Sequence, residues 1–257
     1  MPTTRSLQEL AIVAHFQAPL PLSVMDLADW VDHFKTGFPV LQQLPPLPPS
    51  NLPAPGAPVV QFQLAPVDAA ALPRMLLRSA DSRYYVQLQN DRFAFGWLRT
   101  EPIGDLATYE GFEAHQRRWK QTLDQFETWT DQRFHQHPAH RLLEVTYNNA
   151  LPLERNGQQK RLSEIFKFVQ PAGRKLAAFT SIWAESIYPP VEGQAPKGVV
   201  QATVGLGVAV PAVKVLVFNF TGLGLVAPNE QSDDILSDIH TKIREIYEAA
   251  IIPDADD

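Results

Sequence analysis

The sequence predicts an α+β protein made of two tandem β-α-β-β-β-α halves, with mainly antiparallel sheets that are each covered on one face by a long amphipathic helix. Short segments alternate apolar and polar residues with the period of two that is typical of half-buried strands. Two long segments carry apolar residues at helical spacing, and each follows a group of strands. Because the order of elements recurs, residues 1–137 and 138–257 form corresponding halves, which we interpret as an internal duplication within one compact unit.

The composition is typical of a folded protein from a reducing compartment. The chain has 257 residues, enough to bury a sizeable core, and 45% of them are hydrophobic. It contains no cysteine, which excludes disulfides, thiolate metal sites and thiol nucleophiles. Residues 1–16 lack the apolar core of a secretory signal, and polar residues interrupt the apolar stretch 199–220. We therefore expect a cytoplasmic protein without a membrane span.

The first half begins with a strand at residues 7–17 and a helix whose start has the Ser23 and Asp26 spacing of a capping box. From 38 to 58 the chain is rich in proline, which forbids both a helix interior and a sheet centre and predicts a stiff extended connector along its own domain. Strands are then expected at residues 58–64, 74–79, 83–90 and 92–99. The clearest helix of the chain follows at 109–134, where it must cover the apolar face of the sheet.

The second half repeats this order. It begins with a strand at residues 141–150 and a short helix at 161–169. Further strands are expected at residues 175–185, 198–208 and 212–220. The terminal helix begins at Ser232, and Asp233 and Asp234 suit its positive end.

One apparent cofactor motif is rejected. Residues 222–227 read GxGxxA after a strand and before a helix, which resembles a dinucleotide-binding fingerprint. In that fingerprint the glycine turn leads directly into the helix, and a later strand brings an acid to the ribose. Here residues 228–231 separate the glycines from the helix, and no later strand follows. We therefore expect Gly222 and Gly224 to lie in a hairpin or loop, and we expect no cofactor.

A histidine cluster follows the long helix. His135, His137 and His140 read HxHxxH, and imidazoles so close in sequence could share a zinc or nickel ion. No carboxylate lies among them, Pro138 interrupts regular geometry, and a helix C-terminus attracts protonated histidine for electrostatic reasons. We therefore assign no metal site and keep these three histidines only as weak candidate ligands.

A row of side-chain amides is the pattern that most suggests binding. Gln61, Gln63, Gln87 and Gln89 occupy the strand parity opposite to the apolar residues and are expected to share one polar sheet face. Amides both donate and accept hydrogen bonds, so such a face can hold a peptide, a base or another sheet without charge. Together with Trp97 of the adjacent aromatic run, these residues form the candidate partner-binding face. The alternative is an ordinary solvated or intersheet polar face.

Several segments resemble a sporadically distributed, uncharacterised bacterial protein family of about this size. They are DWVDHFKTGFP, the block RSADSRYYVQLQNDRFAFGWLR followed by YEGFEAHQRRW, LLEVTYNNALP and DIHTKIREIYEAA. Where the family is expected to have Asn-Trp, this chain has Gly96 and Trp97. The resemblance implies a class of protein but no activity. The patchy distribution of such families suggests mobile gene cassettes, including defence and toxin-antitoxin loci.

The chain has no GxSxG elbow, no Walker loop and no HExxH motif. The leading hypothesis is therefore a non-enzymatic protein-binding or adaptor subunit, antitoxin-like, immunity or defence-associated, with a partner encoded in the same cassette. The first alternative is a small-ligand-binding protein or enzyme with a pocket between a sheet and the helix at 109–134. The second is a nucleic-acid-binding accessory protein, which the net charge of −6 disfavours. A homo-oligomer is compatible with each hypothesis.

Overall fold

The computed structural model describes residues 6–52, 72–103, 105–155, 158–159, 164–167, 180–188, 196–209, 213–227 and 230–252. The prediction of an α+β protein is confirmed. The elements are, in chain order, β1 Leu7–Phe16, α1 Val24–Phe34, β2 Val40–Leu44, β3 Arg74–Arg78, β4 Tyr84–Gln89, β5 Arg92–Leu98, α2 Phe112–Phe134, β6 His140–Pro152, β7 Glu154–Arg155, β8 Gln158–Gln159, β9 Thr180–Ser186, β10 Gly198–Ala209, β11 Val213–Leu225 and α3 Ser232–Ala250.

Most of the described strands form one antiparallel sheet, in the order β2-β3-β4-β5-β1-β6-β11-β10-β9. β7 and β8 form a separate small pair. The central strand β1 pairs with β5 on one side and with β6 on the other. The sequence predicted a sheet for each half, but the β1–β6 ladder joins the strands of residues 1–137 to those of 138–257 in one sheet. That the halves are duplicates stays a prediction.

One face of this sheet, called the helix face here, packs against the helices. α2 lies against β5, and α3 lies against β6, β10 and β11. Phe126 of α2 stacks on Phe93 of β5 with ring centroids 4.5 Å apart, and Phe34 of α1 contacts the same Phe93 ring. Most buried apolar residues of the strands and helices form one hydrophobic cluster on this face, because alternate strand residues and every third or fourth helix residue point to the same side. A small second cluster of Ala11, Leu76 and Tyr85 lies on the opposite face.

The start of α1 confirms the predicted capping box. The Ser23 backbone N–H donates to Asp26 Oδ2 at 2.7 Å, and the Asp26 backbone N–H donates to Ser23 Oγ at 3.3 Å. Arg133 of α2 donates to the other Asp26 oxygen at 2.6 Å. Burial raises the pKa of Asp26, but the combined effect of these hydrogen bonds is larger and lowers it, so the net pKa lies below its ordinary value. The cap therefore also ties α1 to α2.

The sequence analysis placed Gly222 and Gly224 in a hairpin or loop. Both lie within β11, which pairs antiparallel with β10, and so they are not in a loop. They face α3. A Cβ atom added to Gly222 would lie 2.2 Å from Ile239 Cγ2, and one added to Gly224 would lie 2.6 Å from Ile235 Cγ2. The glycines therefore allow α3 to approach the sheet closely, which is a packing role.

Three other expectations differ from the structure or fall outside it. Residues 40–44 were assigned to the connector, but they form β2, because pairing with β3 satisfies their backbone. The expected strand at 58–64 lies outside the described residues. Of the expected helix at 161–169 only 164–167 are described, and these form a short 3₁₀ turn with a bridge from Phe166 to Ile251.

Candidate functional site

The sheet face opposite the helices is rich in polar and ionisable side chains and is called the polar face. Residues directly opposed in an antiparallel pair point to the same side, so the strand registers bring these side chains together. Its polar members include Glu9, His15, Tyr85, Gln87, Gln89, Arg92, Glu144, Thr146, Asn148, Asn219 and Thr221. His15, Gln87, Gln89 and Arg92 are all more than nine-tenths buried. Buried polar groups need hydrogen-bond partners, so what covers them matters.

A proline-rich segment, residues 45–52, crosses this face and is called the strap. Gln89 holds it with a two-way hydrogen bond to Leu47: Gln89 Oε1 accepts from the Leu47 N–H at 2.7 Å, and Gln89 Nε2 donates to the Leu47 carbonyl at 2.9 Å. Arg92 Nη2 donates to the Pro48 carbonyl at 2.7 Å. These residues of the expected connector therefore lie along the polar face.

Two arginines hold the ends of the strap. Arg74 of β3 donates from Nε to the Pro45 carbonyl at 3.2 Å. Arg141 lies beside an irregularity in the β1–β6 register, and its guanidinium donates to the Ser50 carbonyl at 2.8 Å and to Asn51 Oδ1 at 3.2 Å. The strap is thus bound mainly through its backbone carbonyls.

Beneath the strap, the buried His15 pairs with the half-buried Glu144. His15 Nε2 lies 2.9 Å from Glu144 Oε2, which also accepts from Ser50 Oγ at 3.3 Å. Thr146 Oγ1 donates to the other Glu144 oxygen at 3.1 Å. Burial raises the pKa of Glu144, but the hydrogen bonds from His15 and Thr146 outweigh it and leave the pKa below its ordinary value. Glu144 is therefore a charged acceptor for the strap at neutral pH.

In a second carboxylate on this face, that of Glu9, both oxygens also accept hydrogen bonds. The Tyr85 hydroxyl donates to Glu9 Oε1 at 2.6 Å, and Asn148 Nδ2 donates to Glu9 Oε2 at 2.6 Å. Burial, followed by the adjacent Glu9 charge, raises the pKa of Tyr85 well above its ordinary value, so its hydroxyl remains a donor. Glu9 and Glu144 thus each have both carboxylate oxygens in hydrogen bonds, and only Glu144 contacts the strap.

The structure separates the residues of the predicted partner-binding face. Gln87 and Gln89 lie on the polar face, and Gln87 Oε1 accepts from Arg74 at 3.0 Å. Trp97 lies on the helix face, where it is 1% exposed and its ring is 5.3 Å from that of Tyr109. Trp97 shares the strand parity of the buried phenylalanines of β5, and this parity places it opposite to the glutamines. Gln61 and Gln63 lie outside the described residues.

The three candidate metal-ligating histidines have separate surroundings. His135 is the left-handed C-cap of α2, with φ of 54°. His137 Nε2 lies 3.8 Å from Asp131, whereas His140 Nε2 lies 3.2 Å from Glu127. Within the described segments, no group of three histidine or carboxylate side chains is arranged to hold a metal ion.

Sequence reasoning missed the ionisable residues that form this site: Glu9, His15, Arg74, Tyr85, Arg92, Arg141 and Glu144. The usable signal was strand parity, since Glu9 and His15 alternate with the apolar residues of β1. The pairing of β1 with β6, which brings Glu144 to His15, is a long-range contact without a local pattern.

Two further histidines, the buried His115 and the half-buried His240, lie away from this face, near the helices. His240 of α3 has its Nδ1 2.8 Å from the Tyr147 hydroxyl and stacks on Phe112 at 4.0 Å. Burial lowers the pKa of His240 to about 4 and that of His115 to about 3, so both are neutral at neutral pH. Their contacts are those of core residues.

A cleft of about 370 Å³ lies between β9 and α3. Its wall includes Trp183, Ile246 and Ala250, with Glu185 at the side, where Glu185 pairs with Lys242 at 3.0 Å. This cleft therefore lies beside α3 and not beside α2, where the sequence analysis expected a pocket. Its apolar wall suits an apolar group better than a charged substrate.

Among the described residues, no helix combines the length and the apolar character needed to cross a membrane.

Comparisons with known proteins give no further guide to function. No protein-family model matches the chain, and no curated protein matches it significantly. The functional proposal therefore rests on the geometry of the fold.

Proposed function

We propose that this protein is a non-enzymatic protein-binding subunit that takes an extended segment of a partner protein onto the outer edge of β2. The partner is another protein encoded in the same bacterial gene cassette, as expected for an antitoxin-like, immunity or adaptor subunit. The observation that carries the proposal is the character of β2, an end strand of the large sheet.

Among the described residues, the outer edge of β2 leaves its backbone groups unpaired, next to exposed apolar side chains. No residue in the described ranges pairs with its outer edge. Val40 is 46% exposed and Leu41 is 50% exposed, and the strand VLQQL contains neither a charge nor a proline. Proteins usually protect sheet edges with charges, prolines or bulges, because an unprotected edge pairs with other chains. An edge without these features suits strand addition by a partner.

The opposite end of the sheet differs. β9 carries the charged Glu185, which pairs with Lys242, and Trp183 of β9 packs against the core. A charge on an edge strand opposes pairing with another chain. This contrast favours β2 as the docking edge.

The test compares two substitutions of exposed apolar residues. Leu41→Lys places a charge on the β2 edge, whereas the control Met25→Lys alters a 71%-exposed residue of α1, away from the sheet edge. A stoichiometric partner isolated from the native host with the tagged chain is produced separately and titrated by calorimetry. We expect Leu41→Lys to raise Kd about tenfold or more and Met25→Lys to leave it nearly unchanged. Absence of any stoichiometric partner, or equal binding by both variants, would contradict the proposal.

The cleft between β9 and α3 favours a second candidate function, the binding of a small apolar ligand. A ligand that binds only the native state raises Tm by linkage. A screen of fatty acids and other apolar compounds would support this function if one of them raised the Tm of the wild type but not of Trp183→Ala. If no compound does so, the ligand-binding function is rejected and strand addition at β2 remains as the proposed function.

A further inference from the structure

We infer that the polar face is a receptor groove for proline-rich peptides, that the strap is its resident occupant in cis, and that a partner's segment of the same chemistry binds there in trans when it displaces the strap. This binding site is separate from the β2 edge and does not depend on strand addition. The strap shows directly which chemistry the groove accepts.

Side chains of the groove bind the strap through its backbone carbonyls. The carbonyls of Pro45, Leu47, Pro48 and Ser50 accept from Arg74, Gln89, Arg92 and Arg141, respectively. These four donors come from β3, β4, β5 and β6. A polyproline II chain makes no internal hydrogen bonds, so its carbonyls are free to accept from side chains. Prolines also limit the conformational entropy lost when such a chain is bound.

The dimensions of the strap and the groove agree. The strands β3, β4, β5, β1 and β6 are successive neighbours, and four strand spacings of about 4.8 Å span roughly 19 Å. Six residue steps from Pro45 to Asn51 at about 3.1 Å each, the polyproline II rise, also span roughly 19 Å. The strap therefore crosses the strands with one hydrogen-bonding side chain available at nearly every strand.

Two positions of the strap add selectivity. Position 47 must not be proline, because its N–H donates to Gln89. Leu47 is 39% exposed, so we expect the groove to discriminate only weakly between side chains at this position. Position 50 carries a hydroxyl that donates to Glu144. The groove thus fits the pattern Pro-Pro-x-Pro-Pro-Ser, where x is any residue other than proline.

The groove stays organised without its occupant. Gln89 and Arg92 both donate to Asp91, at 3.0 Å and 2.9 Å, independently of the strap. Glu144 likewise keeps its bond to His15. Side chains that are held in place before binding lose little entropy when a ligand arrives. Because the strap follows β2 directly, its effective concentration is on the order of millimolar or above, so it competes strongly with a peptide in trans.

The test uses the full-length chain and a fluorescein-labelled peptide with the sequence of residues 44–51, LPPLPPSN. In one variant, residues 45–52 are replaced by a Gly-Ser segment of equal length, which removes the occupant but leaves the groove. Fluorescence anisotropy should show at least about tenfold tighter peptide binding by this variant than by the wild type. Adding Gln89→Met should lower that affinity about tenfold, whereas the control Gln132→Met, an exposed residue of α2, should not.

The peptide supplies a further control. Proline in place of its central leucine should weaken binding, and alanine there should not. Leu41→Lys should leave peptide binding unchanged, which separates this groove from the β2 edge. If circular dichroism shows that the Gly-Ser variant is unfolded, Leu47→Pro in the full chain replaces it, because this variant loses the bond to Gln89 and should gain peptide binding relative to the wild type. A folded variant that binds no better than the wild type, or that binds equally with Gln89→Met, overturns the inference.

Discussion

The two faces of the large sheet are both buried, but by different means. On the helix face, aromatic side chains such as Phe93 and Phe126 pack against one another over a continuous apolar core. On the polar face, His15, Gln89 and Arg92 are nearly as buried, yet hydrogen-bonding groups and the strap surround them. Apolar burial is non-directional and scales with area, whereas a buried polar network depends on each partner. The comparison teaches that the helix face is held together by apolar contact area, whereas the polar face is held together by individual hydrogen bonds.

The largest expected effect is on the helix face. Phe126→Ala removes a fully buried ring that stacks on Phe93 and Phe16. The lost burial and the resulting cavity should lower the free energy of unfolding by about 3–5 kcal/mol, measured by urea denaturation. Leu106→Ala, at an exposed position, is the matched control and should change little. A loss below about 1 kcal/mol for Phe126→Ala would mean that this face does not supply the stability assigned to it.

A smaller loss is expected from a methyl group added between the sheet and α3. In Gly222→Ala the new Cβ would lie 2.2 Å from Ile239, so a side chain or the helix must shift, at a cost of about 1–3 kcal/mol. Gly37→Ala is the control, because the nearest atom to its added Cβ is 4.0 Å away. Equal thermal stability of the two variants would show that α3 is less closely packed than described.

Acid should destabilise the helix face first. The pKa of His115 is about 3 in the folded protein because of burial, but ordinary in the unfolded chain, which therefore takes up a proton as pH falls below 6.5. Stability is full above pH 6.5 and falls with decreasing pH, by about 2 kcal/mol at pH 5 from this residue. His115→Leu should flatten this part of the profile of urea midpoint against pH.

Glu144→Gln on the polar face is the contrasting variant. The lowered pKa of Glu144 means that its contribution is present above its ordinary pKa of 4.5 and is lost only as pH falls below it. Its variant should therefore leave the slope between pH 6.5 and 5 unchanged and flatten the profile at lower pH. The same slope change from both variants would remove the distinction between the faces.

The smallest effect on stability is expected from the two hydrogen bonds by which Gln89 holds Leu47 of the strap, called the clamp. Gln89→Met keeps the side-chain size but removes both hydrogen bonds to Leu47, which should cost only about 1 kcal/mol, because the freed strap groups can bind water. The Leu47 amide should nevertheless exchange its hydrogen much faster, measured by hydrogen–deuterium exchange. The exposed Gln132→Met serves as control. Unchanged exchange at Leu47 in Gln89→Met would show that the clamp does not hold the strap.

Local pattern was sufficient for much of the secondary structure. The capping box at Ser23 and Asp26, the helical spacing of α2 and α3 and the alternation of β4 and β5 all appear where the sequence predicts them. Part of the candidate site was also accessible, since strand parity places Gln87 and Gln89 on one face. The same parity applied to β5 would have placed Trp97 on the other face.

The sequence by itself determined where the three helices and most strands of the large sheet form, and that the strap forms neither, because periodicity, capping and fixed φ angles act between near neighbours. Tertiary structure alone decided that β1 pairs with β6 to make one sheet, that β2 becomes an end strand and that the strap lies over Gln89 and Glu144. These contacts join residues far apart in the chain, and their choice depends on which surfaces remain to be buried and which hydrogen-bonding groups remain to be satisfied, so no local pattern encodes them.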